Sequence, residues 1–235
     1  MISVLIPLYN TPFEYYKMCI DSIENQTFKK FEVLIIDNGS TEENIVKYKE
    51  YIDKKMRFKF YAISRQEGKK NLSVALNYGL GQSRYNLIAR MDSDDIMDRY
   101  RLEKQYEYFQ KNEVDILGGQ LKIIGSEQIT NHPKVVSKDL PIKTNWFINH
   151  PTVMFKKDKI TEIGGYLDRP EYLAEDYELW TRSLKNGLVI HNLSDVLIEY
   201  RIHENNLTNI DKCNINYELL LQYIKQNYIS WFMRG

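Results

Sequence analysis

The chain has 235 residues, 43% hydrophobic and 27% charged, which is ordinary for a water-soluble globular protein able to bury a substantial core. Its 32 basic and 32 acidic residues balance, so no long-range field draws the whole molecule to nucleic acid. Two cysteines, Cys19 and Cys213, are too few for a disulfide scaffold and lack metal-ligand spacing.

Residues 2–9 are apolar and β-branched enough for a buried strand. Thr11-Pro12-Phe13-Glu14 then reads as N-cap, proline at the first helical position and capping-box glutamate. The helix that follows repeats Tyr16, Cys19, Ile20 and Ile23 on one face. Residues 31–37 form a second buried strand, ended by Asn38-Gly39-Ser40, and a helix carrying Ile45, Tyr48 and Ile52 comes next. A third strand over 57–63, a short helix over 73–80 and a fourth strand over 86–91 complete the first half. This alternation predicts βαβ units and a largely parallel sheet.

After Asp95 the rhythm changes. A helix over 99–112 carries Leu102, Tyr106 and Phe109, and two short strands flank Gly118-Gly119. Residues 132–140 read as a polar loop, 150–155 as a strand, and 156–163 as a helix closed by Gly164-Gly165. A loop over 167–173, a helix over 175–186 stopped by Gly187 and a strand over 195–202 follow. The tail, 215–233, places Tyr217, Leu220, Leu221, Ile224, Tyr228, Trp231 and Phe232 on one helical face. Without repeats or a Pro/Ser linker, the reading is one α/β domain over 1–205, with 206–235 as its amphipathic helical extension. No stretch approaches the roughly 20 apolar residues of a membrane span. Met1-Ile2-Ser3-Val4 has no basic region followed by a long apolar one, so a cytoplasmic location is expected.

The chemistry concentrates where the fourth strand ends. Asn86-Leu87-Ile88-Ala89-Arg90-Met91 runs into Asp92-Ser93-Asp94-Asp95, three carboxylates within four residues. Like charges this close need a compensating cation or full solvation. Oxygen ligands favour Mg²⁺ or Mn²⁺ held jointly with substrate phosphates, at the strand edge where open α/β sheets bind ligands. A solvated, helix-capping turn is the plain alternative.

Four motifs in order resolve that choice: Ser3-Val4-Leu5-Ile6-Pro7-Leu8-Tyr9-Asn10, Val33-Leu34-Ile35-Ile36-Asp37-Asn38-Gly39-Ser40, Ala89-Arg90-Met91-Asp92-Ser93-Asp94-Asp95 and Ala174-Glu175-Asp176-Tyr177-Glu178-Leu179-Trp180. Together they resemble family 2 glycosyltransferases of the GT-A fold. The resemblance implies an inverting transfer of sugar from a nucleotide donor, UDP-sugar above all, to a glycan or lipid-linked acceptor, with Mn²⁺ or Mg²⁺ as cofactor. It implies Asp94 as metal ligand, joined by His203, and Asp92 on the ribose or the metal shell. Pro7, Tyr9, Asp37, Arg65, Lys70, Arg90 and Ser93 would line the donor site, with Asp37 accepting from the base's imide N–H. Asp176 would be the general base, Glu175 an acceptor contact and Trp180 a floor for the acceptor sugar, a core tryptophan being the alternative; His150 is a weaker acceptor-side candidate.

Lys69-Lys70-Asn71 departs from the family's Asn-Arg-Gly-like triplet. Lys70 keeps an arginine's charge without its fork, and Asn71 tolerates the left-handed conformation otherwise left to glycine. The tail helix is expected to lie on a membrane surface, pair with a second copy, or pack on the body. A sugar nucleotidyltransferase would need a Gly-rich, Arg-containing loop after the first strand, where this chain has Leu8-Tyr9-Asn10-Thr11-Pro12. A binding module without turnover would not need Asp92, Asp94 and Asp176 together.

Overall fold

The Ile-, Val- and Leu-rich runs form a parallel core because helices cover both of their faces. The computed structural model describes residues 1–67, 69, 71–144, 146–168, 174–203 and 215–234, without the side chains of 215–220. In it, β1 (Ile2–Leu8) and β2 (Phe31–Asn38) are buried along their whole length. β3 (Phe58–Ile63) pairs parallel with β2, and β4 (Leu87–Arg90) parallel with β1. Alternate side chains serve opposite layers. Leu5, Leu34 and Ile36 pack with α3 (Asn71–Gln82), whereas Val4, Ile6, Val33 and Ile35 pack with α1 (Phe13–Glu24) and α2 (Glu42–Ile52).

The second half extends the same sheet in mixed directions. β5 (Ile96–Met97) precedes α4 (Arg101–Lys111), and β6 (Ile116–Ile123) follows it. Beyond the short α5 (Leu140–Lys143), β7 (Met154–Lys156) pairs antiparallel with both β4 and β6. After α6 (Lys157–Glu162) and α7 (Glu175–Lys185), β8 (Ile190–Tyr200) lies parallel to β6 and antiparallel to β5. The sheet order is β3-β2-β1-β4-β7-β6-β8-β5.

Several expectations are corrected. Thr11 does not cap α1: Pro12 occupies that position without a side-chain bond, and the Thr11 hydroxyl lies 2.6 Å from that of Ser93. Gly118 and Gly119 are not a break between two strands but lie inside β6. A Cβ there would come within 2.5 Å of Asn192 Oδ1 and 2.4 Å of Leu197 Cδ1, so β8 can approach only because both are glycine. Residues 150–152 form a 3₁₀ turn, with β7 starting at Met154. The tail is helical as α8 (Ile215–Phe232), packed on α5 and α7, and its Leu221, Ile224 and Tyr228 are buried against the body.

Candidate active site

The carboxyl ends of β1, β2 and β4 lie side by side, and the acidic turn leaves β4 at this edge. Residues i and i+2 of an extended chain share a face. Arg90 and Asp92 use that spacing: Nη1 donates to Asp92 Oδ2 at 2.7 Å, and Nη2 lies 2.5 Å from Oδ1. Only 3% of the Arg90 side chain is exposed. Burial alone would lower its pKa, but Asp92 first, with Tyr166 and Glu175, more than offsets this and the pKa is raised. Arg90, expected to contact the donor, instead holds Asp92 in a two-pronged grip.

The other two carboxylates meet the end of β8. Because β5 pairs with β8, residues 201–203 cross the turn. Asp95 is fully buried and its Oδ1 accepts from the Arg201 backbone N–H at 2.9 Å. Arg201 Nε donates to the Asp94 carbonyl at 2.9 Å, and His203 Nε2 lies 2.8 Å from Asp94 Oδ2. Burial first, then the charge of Asp92, pushes the Asp94 carboxyl above its ordinary range, against the pull of His203. Asp95 is pushed well up by burial, Asp92 and Asp94. It does not cap the next helix, which starts at Arg101. Ser93 is buried, its hydroxyl engaged with Thr11 rather than open to a donor. Among the described residues no three His, Cys, Asp or Glu side chains form a ready-made metal cage.

At the ends of β1 and β2, Asp37 is fully buried. Its Oδ2 accepts from the Ser40 N–H at 3.2 Å in an Asx turn, while Oδ1 has no partner among the described residues. Pro7 lies inside β1 in register with Ile36, beyond Leu5, the last residue of β1 that pairs with β4, so its missing N–H costs no bond to β4. Tyr9 is 50% exposed, with the Arg65 guanidinium 4.2 Å from its ring centre. Gly39, at φ +81°, leaves room for Arg65, whose Cγ would lie 2.8 Å from a Cβ. Lys70 lies outside the described residues. Asn71 is the first residue of α3 rather than left-handed, and its side chain closes the preceding loop on Gln66 and Lys69.

Farther along the chain, α7 opens with the buried Glu175 and with Asp176, whose Oδ1 accepts from the Tyr177 N–H at 2.8 Å. Trp180 is only 1% exposed, in the core with its ring edge-on to His150, so it is no floor for a sugar here. His150 is buried too, its Nε2 3.0 Å from the Tyr166 hydroxyl. Burial and Arg90 hold its pKa well below the usual value. Tyr166 also bonds Asn77 of α3 through its backbone N–H and carbonyl. Burial raises its hydroxyl pKa most, Arg90 opposes, and the charges of Asp176, Glu175 and Asp92 add to the rise. A cavity of about 540 Å³ bordered by Tyr108, Gln120, His132 and Asn192 lies elsewhere and includes none of these residues.

Sequence reasoning missed Tyr166, Arg201 and Arg101. Only Arg101 carried a signal, sharing a helical face with Leu102 and Gln105.

Solved structures of similar shape define the class. TarS of S. aureus, in complex with UDP-GlcNAc, superposes with a TM-score of 0.75 at 20% identity, covering 95% of this chain and 65% of that one. This chain thus spans a little under two thirds of that solved protein. A mannosyltransferase from Pyrobaculum calidifontis, in complex with GDP-Man and Mn²⁺, gives a TM-score of 0.66 at 14% identity, covering 99% and 74%. The fold is GT-A. The family model for glycosyl transferase family 2 matches residues 3–164, and the chain belongs to that family of glycosyltransferases. The O-antigen biosynthesis glycosyltransferase WbnJ of Escherichia coli is 40% identical over 86% of this chain and 80% of its own. The E. coli UDP-Gal:alpha-D-GlcNAc-diphosphoundecaprenol beta-1,3-galactosyltransferase is 32% identical over 97% and 85%.

Proposed function

We propose that this enzyme transfers a hexosyl or N-acetylhexosaminyl group from a UDP-sugar to a hydroxyl of a glycan or lipid-linked acceptor in polysaccharide biosynthesis, with inversion. The Asp94–His203 pair carries the reading: two residues 109 positions apart meet at 2.8 Å on the ligand-binding edge of the sheet. Asp92 is held by Arg90 and Asp95 is fully buried against the Arg201 backbone, so the part-exposed Asp94, paired with His203, is the carboxylate best placed for a ligand.

This donor set fits Mn²⁺ or Mg²⁺, which take a few protein ligands and complete their shell with phosphate oxygens and water. Asp94 and His203 would hold the ion, and the chemistry supplied there is neutralisation of the diphosphate as it leaves. The unpartnered Asp37 Oδ1 supports uracil, whose imide N–H would satisfy a buried acceptor that is otherwise costly to leave alone. Asp176, opposite, takes the acceptor's proton as its oxygen attacks the anomeric carbon from the side away from the diphosphate. One displacement inverts the configuration. Two relatives support the acceptor class: the galactosyltransferase named for a diphosphoundecaprenol-linked sugar, and the O-antigen enzyme. A lipid-linked acceptor would bring the protein to a membrane surface, where the outward Tyr223 and Met233 of the tail are the apolar residues to test.

The test is the anomeric configuration of the product by NMR. An α-linked UDP-sugar should yield a β-linked product; an α-linked product would overturn the single-displacement reading.

A further inference from the structure

Beneath the acidic turn lies a cation that the transfer chemistry above does not use. Arg101, the first residue of α4, is fully buried. Its Nη2 donates to the carbonyls of Arg90 at 2.8 Å and Val153 at 3.2 Å, and its Nε donates to Gln105 Oε1 at 3.0 Å. Gln105, one helical turn on and also buried, donates to the carbonyls of Leu117 and Thr152, both at 2.9 Å. The pair therefore ties α4 to the end of β4, to the approach to β7 and to β6. Nη1 has no hydrogen-bond partner, and no carboxylate bonds the guanidinium, among the described residues.

A buried charge without a bonded counter-ion is retained only where nearby charge compensates it. Burial and the neighbouring Arg90 pull the Arg101 pKa down to about 9, and Asp95 and Asp92 act against that pull, so the group stays charged at neutral pH. Arg90 and Arg101 thus place two buried guanidinium groups near Asp92 and Asp95.

We propose that Arg101 is a positioning residue for sugar transfer: through the Arg90 and Val153 carbonyls it sets the height of the acidic turn against β7, and it supplies a second buried positive charge near Asp95 and Asp92. This rests on the metal-supported, UDP-dependent reading of the same site. Lysine at this position keeps the charge but loses the planar fork that spans both carbonyls.

The experiment is calorimetric titration of UDP in the presence of Mn²⁺, with melting curves, for the parent, Arg101→Lys, Gln105→Met and the distant core control Ile160→Val. Residues that orient metal ligands from behind typically change metal affinity by about 10-fold to 100-fold. Arg101→Lys should weaken Mn²⁺-supported UDP binding of the folded protein by about 10-fold or more on that scale. Gln105→Met, which removes the Arg101 Nε bond and Gln105's own bonds to the Leu117 and Thr152 carbonyls but leaves both Nη2 bonds in place, should weaken it by less. Ile160→Val should lose stability alone. Should Arg101→Lys not fold, Gln105→Met decides, and wild-type affinity in that folded variant overturns the proposal. Equal losses in Ile160→Val overturn it too, since a merely structural role would produce them. If the parent binds no UDP with Mn²⁺, the reading of the site fails and this assignment with it; if the parent binds and the variants match it, this assignment alone fails.

Discussion

Replacing Arg90 by methionine should strand Asp92 beside Asp94 and Asp95. The two bonds lost, at 2.7 and 2.5 Å, come from a side chain only 3% exposed to a carboxylate 29% exposed. Removing one partner of a buried pair typically costs about 3–5 kcal/mol, and the partial exposure of Asp92 places this case near about 3 kcal/mol. For a chain of this length each kcal/mol moves the melting temperature by about 2–4 °C, so a fall of roughly 6–12 °C is expected. Added Mn²⁺ should restore part of the loss, because a cation again compensates the carboxylates. Arg90→Met combined with Asp92→Leu should be less unstable than the sum of the single variants, with a coupling of about 1 kcal/mol or more. Urea and thermal unfolding of the four proteins measure this. A loss under about 1 kcal/mol, or strict additivity, would refute the assignment of Arg90 as the clamp on Asp92.

Asp176→Asn should bind UDP-sugar nearly normally and lose turnover by about 10²–10⁴-fold, the usual cost of removing a positioned base; near-normal turnover would move the base elsewhere. His150 gives a pH dependence. Its folded pKa lies well below the ordinary 6.5, so between the two values the unfolded chain binds the extra proton and stability falls as pH drops below about 6.5. His150→Gln should flatten part of that slope in melting curves from pH 8 to 5, with His132 and His191, also shifted down, acting in the same direction and the raised Asp94 and Asp95 opposing. An unchanged slope would contradict it.

The parallel half of the fold was legible because strands buried on both faces read as continuous apolar runs, and α1 and α2 show one apolar stripe each. The mixed half was less so, because its pairings are set by distant contacts. Gly118 and Gly119 look like a break but admit Asn192 and Leu197, and the polar start of β8 hides its pairing with β6. In the site, the acidic turn is visible, yet Arg90 is expected to line the donor site although its i+2 spacing to Asp92 already puts both on one face. Thr11 was assigned to a helix end that it never caps, since Ser93, 82 positions away, takes its hydroxyl. The meeting of Asp94 with His203 depends on the two-residue β5, too short to leave a periodic signal.

The most direct test of the account is UDP titration of the parent and of Asp94→Asn, each with Mn²⁺ and with EDTA. The account predicts that Mn²⁺ strengthens UDP binding in the parent, and that Asp94→Asn, folded by its melting curve, binds UDP equally weakly in both conditions. Unchanged Mn²⁺-dependent binding in Asp94→Asn would contradict the account.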